Sequence, residues 1–282
     1  MDLKRSYEEL LKEGARRLKQ AGIAEYDLDA WYLMEECFSM DRVYYLIHKK
    51  DPVTQDEEIL QDYFEKIKKR AERIPLQHII GTQEFMGFSF AVNEHVLIPR
   101  QDTEILVETI LEEQKRKDIS VLDMCTGSGC IAISLALLGH YEHVEGTDLS
   151  LQAIAVARQN NDSLHAGVEF YTGDLFEHAK GTYDVIVSNP PYIRKEVIET
   201  LEPEVKDHEP YQALYGPENG LYFYRAISRE AKKRLRPGGS LYFEIGYDQA
   251  ESVSEILKGE GFHGIRVRND LAGLNRVVMG NI

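Results

Sequence analysis

At 282 residues, 43% hydrophobic and 29% charged, the chain has the make-up of an ordinary globular protein, either one large domain or a small one beside a larger one. Its 48 acidic residues outnumber 33 basic ones, a formal charge of −15, and a field of that sign repels a phosphate backbone rather than gripping it. Cys37, Cys125 and Cys130 cannot all pair and show no metal-ligand spacing with histidine, so neither a disulfide framework nor a metal site is expected. Met1-Asp2-Leu3-Lys4-Arg5 leads directly into charged helical sequence, and no stretch approaches the roughly 20 apolar residues of a membrane span. A cytoplasmic chain is expected, with no membrane contact.

The first 75 or so residues read as helices. Leu3, Tyr7, Leu10, Leu11 and Leu18 recur at helical spacing with Gly22 as a stop; Leu28, Trp31, Tyr32 and Glu35 open a second helix; Ile59, Leu60, Tyr63, Phe64 and Ile67 give the apolar face of another. Trp31 belongs to that core. The basic run Lys66, Lys68, Lys69 and Arg70 is interleaved with acids and is expected to be a solvated face. Glu84 to Val92 alternates around Gly87, as a hairpin would. These signals predict a helical domain over 1–78, a hairpin linker over 79–100 and a catalytic domain over 101–282.

From residue 119 strands alternate with helices. Ile119–Met124, His143–Asp148, Val168–Thr172, Tyr183–Ser188 and Ser240–Ile245 are short apolar runs suited to buried parallel strands. Cys130–Leu138, Leu151–Gln159, Leu221–Leu235 and Asp248–Lys258 read as helices, and Gly264–Arg268 with Arg276–Met279 as a closing antiparallel pair. The expected fold is α/β: a doubly wound, mostly parallel sheet with a small N-terminal helical domain.

Two motifs in this region carry chemistry. Asp123-Met124-Cys125-Thr126-Gly127-Ser128-Gly129 ends a strand and opens a helix, and its glycines let the backbone approach a ligand closely. Asp148 ends the next strand, 19 residues after Gly129 (148 − 129), where a carboxylate can hold ribose hydroxyls. The loop alone also satisfies a dinucleotide fingerprint. Asp123, suited to a cationic methionine end, and Asn189-Pro190-Pro191-Tyr192 after the fourth strand favour S-adenosylmethionine over NAD. An amide or aromatic amino nitrogen is a poor nucleophile because its lone pair is delocalised. It must pyramidalise while acceptors hold its two hydrogens. The Asn189 side-chain oxygen and the Pro190 carbonyl suit that task, on a backbone stiffened by two prolines, with Tyr192 against the flat group.

On these residues the acceptor could be adenine, cytosine or a glutamine amide. Further blocks are Pro75 to Gly81, Glu84-Phe85-x-Gly87-x-x-Phe90, Leu97-Ile98-Pro99-Arg100-Gln101-Asp102-Thr103-Glu104, Glu209 to Leu214, Gly220-Leu221 and Asp270 to Val278. In matching order these resemble the release-factor glutamine methyltransferases of the PrmC/HemK type. The resemblance implies a class I methyltransferase fold, a Rossmann-like sheet, and N(5)-methylation of the glutamine in the Gly-Gly-Gln loop of class-I peptide chain release factors. It implies cofactor contacts at Cys125 to Gly129, Asp148, Leu175 and Asn189, and substrate contacts at Asn189 to Tyr192.

Cys125 stands where that family commonly has glycine, and Leu175 where some members have an aromatic, departures that bear on cofactor affinity. Cys125 is either a redox-sensitive thiol or a small buried filler. Phe85 is either hairpin core or pocket wall. Arg100 with Glu104 is either a structural ion pair or the wall of the substrate pocket. Asp207, His208 and Glu209 are expected to cover the bound glutamine. Two rivals are an amino-methyltransferase of DNA or RNA and a non-catalytic scaffold that binds release factors. The acidic charge favours a protein acceptor over direct nucleic-acid contact, and a monomer is expected.

Overall fold

A computed structural model describes residues 5–54, 56–179 and 181–282. Leu3, the start of the expected first helical pattern, lies outside them. The chain divides into two compact units, Met1–Gly81 with Pro203–His208, and Thr82–Glu202 with Glu209–Ile282.

The first unit is helical: α1 (Tyr7–Gln20), α2 (Tyr26–Phe38), α3 (Arg42–His48), α4 (Glu57–Ala71) and α5 (Leu76–Ile80). A capping box opens α1. Ser6 Oγ accepts from the Glu9 N–H at 3.3 Å while the Glu9 carboxylate accepts from the Ser6 N–H at 2.8 Å, satisfying two donors the helix cannot. Leu10 and Leu18 then pack with Trp31, Leu33, Met34, Tyr63 and Ile67 into one core. A Cβ on Gly14 would lie 2.2 Å from the Tyr63 hydroxyl, so α1 and α4 approach through that glycine. Trp31 is buried in this core, as its apolar face predicts.

The basic run does not behave uniformly as a solvated face. Arg70 is only 7% exposed; its Nε donates to Asp29 Oδ2 at 2.7 Å and its Nη1 lies 2.9 Å from Glu204 Oε1. Burial pushes the Asp29 carboxyl up, and the guanidinium opposes that shift. Arg70→Ala should therefore destabilise this unit by about 3 kcal/mol or more, because it leaves the buried Asp29 carboxylate without a cation, while Glu204 keeps Arg73 at 2.7 Å. Urea unfolding followed by Trp31 fluorescence reads it; a loss below about 1 kcal/mol would contradict the buried pair's role.

The second unit begins with a hairpin, β1 (Thr82–Phe85) and β2 (Phe88–Ala91), joined by Met86-Gly87 at φ of +52° and +80°. Two positive φ values in a two-residue loop match the right-handed twist of the strands. The hairpin, expected as a linker, clusters with this unit. Next come α6 (Gln101–Glu113), β3 (Ser120–Met124), α7 (Cys130–Gly139), β4 (His143–Asp148), α8 (Leu151–Leu164), β5 (Glu169–Thr172) and β6 (Tyr183–Ser188). Four short helical turns follow, α9 (Lys195–Ile198), α10 (Pro203–Lys206, in the first unit), α11 (Tyr211–Leu214) and α12 (Pro217–Gly220). The chain ends with α13 (Tyr222–Arg234), β7 (Leu235–Glu244), α14 (Ala250–Glu260), β8 (His263–Asn269) and β9 (Asn275–Asn281).

The seven-stranded sheet runs β5-β4-β3-β6-β7-β9-β8; β5 through β7 are parallel, and β9 and β8 add antiparallel pairs. This is the doubly wound, mostly parallel sheet that the alternation of strands and helices predicts. Strand alternation sends Val121, Val185, Val187 and Tyr242 into one core cluster and Leu122, Ile186, Leu241 and Phe243 into another, so both faces are buried. The strand order reverses beside β3, and in such sheets ligands bind off the carboxyl ends at that point.

Candidate active site

A cavity in the second unit opens off the carboxyl ends of four parallel strands. It is lined by Cys125 to Ser128 after β3, Thr147 to Ser150 around the end of β4, Gly173 to Leu175 after β5, and Asn189 and Pro191 after β6. Pro99, Arg100 and Thr103 close one side, and Pro210, Gln212, Ala213 and Phe223 line it as well. Four strands thus bring together the glycine loop, the second-strand aspartate and the Asn189 tetrad.

The glycine loop is held from two sides. Asp148 Oδ2 accepts from the Gly127 N–H at 2.9 Å, and its Oδ1 accepts from the Ser150 N–H at 2.9 Å. Burial pushes the Asp148 carboxyl up while these backbone donors pull it down. Below the loop, fully buried Asp123 Oδ2 accepts from Thr126 Oγ1 at 2.5 Å and from the Ala132 N–H at 3.3 Å. Burial raises its carboxyl to about 7. Gly129 caps α7 at φ +80°, and a Cβ there would meet Phe170 at 2.9 Å, so both conformation and space demand glycine.

These residues fit a nucleoside cofactor with a charged tail. Asp123 Oδ1 and Ser128 Oγ are buried without hydrogen-bond partners, and a Cβ at Gly127, φ +55°, would meet nothing within 4 Å. The loop is therefore an open cradle with spare acceptors beneath it. Asp123 does not line the cavity and would act from below the loop rather than against the ligand.

Cys125 sits at φ +60° and Leu175 at φ +45°, the left-handed region that favours glycine. That backbone explains why glycine is at home in place of Cys125. Burial pushes the Cys125 thiol up, so little thiolate forms, which argues against a redox-sensitive thiol; the side chain is half-buried and lines the cavity.

Within the tetrad, Asn189 lines the cavity and its Nδ2 donates to Thr103 Oγ1 at 3.3 Å, which leaves Oδ1 as the free end of the carboxamide. Pro190 is buried behind it and Pro191 lines the cavity. Tyr192 is placed differently from the expected flat wall: it is absent from the lining, and its hydroxyl donates to Glu244 Oε1 at 3.4 Å. Phe85, 1% exposed, packs edge-on against Phe90 in the hairpin core and does not line the cavity.

Arg100 lines the cavity but pairs with Glu209, not with Glu104. Glu104 instead accepts from the Met86 N–H at 2.6 Å, fastening the hairpin turn to α6. Burial pushes the Glu209 carboxyl up, opposed by the Arg100 charge. Of the three residues expected over the glutamine, Asp207 and His208 cluster with the helical unit. Among the described residues no group of acids, histidines and cysteines could hold a metal ion, and no helix is long and apolar enough to cross a membrane. Sequence reasoning passed over Thr103 and Glu244 as functional residues; Thr103 stood inside the quoted Leu97–Glu104 block.

Comparison with known proteins decides the family. Residues 9–81 match the PrmC N-terminal domain, and residues 100–202 match the methyltransferase small domain. A release factor glutamine methyltransferase of Clostridium botulinum is 40% identical over 276 residues, spanning 96% of this chain and 97% of that one. The chain belongs to the release factor glutamine methyltransferase family. A second member, from Clostridium acetobutylicum, is 41% identical over 93% of each chain. A methyltransferase structure from Pyrococcus furiosus shares the fold, with a TM-score of 0.57 at 19% identity over 76% of this chain and 98% of that one. As for other methyltransferases of this kind, the methyl donor is S-adenosylmethionine.

Asp148→Ala should weaken S-adenosylmethionine binding about tenfold or more, since it removes charge-assisted hydrogen bonds worth roughly 1.5–3 kcal/mol each. Isothermal titration of the full chain measures this. An unchanged affinity would remove Asp148 from the cofactor site.

Proposed function

We propose that this enzyme methylates the side-chain amide nitrogen of the glutamine in the Gly-Gly-Gln motif of class-I peptide chain release factors. The observation that carries this reading is Asn189, with its Nδ2 engaged by Thr103 and Oδ1 left for a ligand at the cavity. Membership of the family supports the glutamine as acceptor.

S-adenosylmethionine, when bound, supplies a methyl group on an electrophilic sulfonium. Cys125, Thr126, Gly127, Ser128 and Gly129 would hold it, with Asp123 supporting the loop from beneath, Asp148 available to accept from its ribose hydroxyls and Leu175 to pack against its base. Asn189 Oδ1 and the Pro190 carbonyl each accept one N–H of the glutamine amide. Holding both hydrogens in fixed directions pyramidalises the nitrogen and turns its lone pair toward the methyl carbon. The same two dipoles favour the positive charge that develops on nitrogen. No strong base is required, because the alkylated nitrogen is acidic while cationic. Pro190 and Pro191 keep the accepting carbonyl from drifting. Tyr192 acts from behind through Glu244, and Arg100 with Glu209 stiffens the wall beside the glutamine.

The helical unit recruits the release factor, and an overall charge of −15 suits a partner with a basic surface. In this reading the enzyme works as a monomer in the cytoplasm and holds no nucleic acid directly.

Incubation with methyl-labelled S-adenosylmethionine and either a release factor or RNA and DNA separates the readings. Label in the Gly-Gly-Gln peptide, located by mass spectrometry, is expected; label in nucleic acid would replace it with a base-methylating activity, and none in either would favour a scaffold. Asn189→Ala should lower turnover more than tenfold, a loss above ~1.4 kcal/mol, while cofactor binding persists. A variant retaining more than about a tenth of the rate would refute the acceptor role.

A further inference from the structure

Resting on the glutamine-methylating reading above, we propose that Tyr247, Leu271 and Leu274 form a docking surface for the release factor. It takes an apolar, base-rimmed face of that protein next to its Gly-Gly-Gln loop.

The block Asp270 to Arg276 spans the turn between β8 and β9 and supplies nothing to the chemistry described above. Because β9 runs antiparallel to β7, this turn lies at the carboxyl end of β7, the edge off which the cavity opens. Leu271 is 90% exposed, Tyr247 61% and Leu274 46%, and no large hydrophobic among the described residues is more exposed than Leu271. Single apolar residues on a surface need no explanation, but these are tied together. Asn275, next to Leu274, donates from Nδ2 to the Tyr247 carbonyl at 3.3 Å.

The turn is built to hold its leucines still. Asp270 Oδ1 accepts from the Ala272 N–H at 3.0 Å and the Leu274 N–H at 2.9 Å, while the Asp270 N–H donates to the Leu274 carbonyl at 2.8 Å. Gly273, at φ +82°, lets the chain reverse. Asp270 Oδ2 accepts from Arg276 Nη2 at 3.0 Å, and the same nitrogen lies 3.0 Å from Asp102 Oδ2 in the first turn of α6. The next residue, Thr103, lines the cavity. Tyr247 is fastened to the tetrad from its other side. Gln249 Nε2 donates to the Tyr192 carbonyl at 3.3 Å, and Asp248 pairs with Arg194 at 3.3 Å. The apolar surface is therefore continuous with the segment that carries the tetrad, and a turn already fixed loses little freedom when a partner covers it.

The occupant follows from reach and charge. A glutamine side chain that meets Asn189 brings its own backbone to the cavity mouth, so the protein bearing it lies against this edge of the sheet. Residues 82–282 hold 31 acids against 19 bases, and the ion pairs that brace the surface set Asp102, Asp248 and Asp270 against Arg194 and Arg276. An apolar centre in an acidic surround suits an apolar patch rimmed by bases. A second copy of this chain would instead bring acids against acids.

Leu271→Asp, and Leu271→Ala combined with Leu274→Ala, test the surface in the full chain with an intact class-I release factor as acceptor. Isothermal titration with S-adenosylmethionine should give wild-type affinity in both, which shows that fold and cofactor site are intact. The KM for the release factor should rise about tenfold or more, a loss of ~1.4 kcal/mol, with kcat little changed. Binding of the release factor to the S-adenosylhomocysteine complex should weaken by the same factor, and Leu271→Met should keep the wild-type KM. A wild-type KM in both variants would overturn the docking surface and leave the glutamine reading standing. A wild-type enzyme that methylates no release factor would overturn that reading, and this occupant with it. Sedimentation showing a wild-type dimer that Leu271→Asp dissociates, with the KM unchanged, would give the surface to a second copy and overturn the proposal.

Discussion

The parallel pairing of β3 with β6 places everything that follows. Its register sets Met124 beside Ser188, and the Ser188 hydroxyl donates to the Met124 carbonyl at 2.6 Å. At the other end of the pair, Asp184 accepts from the Ser120 N–H at 2.9 Å. A side-chain bond pins each end, so the two strands cannot slide. One residue beyond Met124 the cofactor loop begins, and one residue beyond Ser188 stands Asn189. A slip of one position would turn every side chain of β6 to the opposite face of the sheet and carry Asn189 away from the loop. The distance between methyl donor and acceptor is thus a property of strand register, set by one buried and one partly buried hydrogen bond and by valine and isoleucine packing on both faces.

What the site asks of that scaffold is costly. Asp123, Asp148 and Glu244 are carboxyls that burial pushes up, and Cys125 and Leu175 hold left-handed backbone without being glycine. Each would be better satisfied elsewhere. They persist because the surrounding sheet is apolar on both faces and tightly registered, and stability gained there offsets local expense near the ligand. The acceptor end uses the same economy: two prolines and a buried threonine hold Asn189, so the carboxamide is positioned before the substrate arrives.

Much of the sheet was legible in the sequence because buried parallel strands are continuous apolar runs. His143–Asp148 and Tyr183–Ser188 match their observed bounds, and the closing antiparallel pair is present. The α6 helix was not legible. Its interior holds Thr103, Ile105, Val107, Thr109 and Ile110, β-branched residues that lower helical propensity, and tertiary burial overrides that preference. Missing α6 hid Thr103 behind Asn189. Glu244 escaped for a related reason: a lone acid ending an apolar strand has no spacing signature, and only the fold brings it to Tyr192 and Arg276. Proximity along the chain also misled. Arg100 and Glu104 are a helical turn apart, yet Arg100 finds Glu209 over a hundred positions away, and Glu104 turns back to the hairpin. The tetrad and the glycine loop were readable because their chemistry is local; their supports are not.

The central claim is that Asn189 Oδ1 and the Pro190 carbonyl hold the two hydrogens of a glutamine amide. A crystal structure of the enzyme with S-adenosylhomocysteine and a Gly-Gly-Gln peptide tests it most directly. The account predicts the glutamine amide nitrogen within hydrogen-bond distance of both oxygens, with Asn189 Nδ2 still on Thr103. A glutamine bound with its nitrogen away from Asn189, or an Asn189 carboxamide turned to present its NH2, would contradict it.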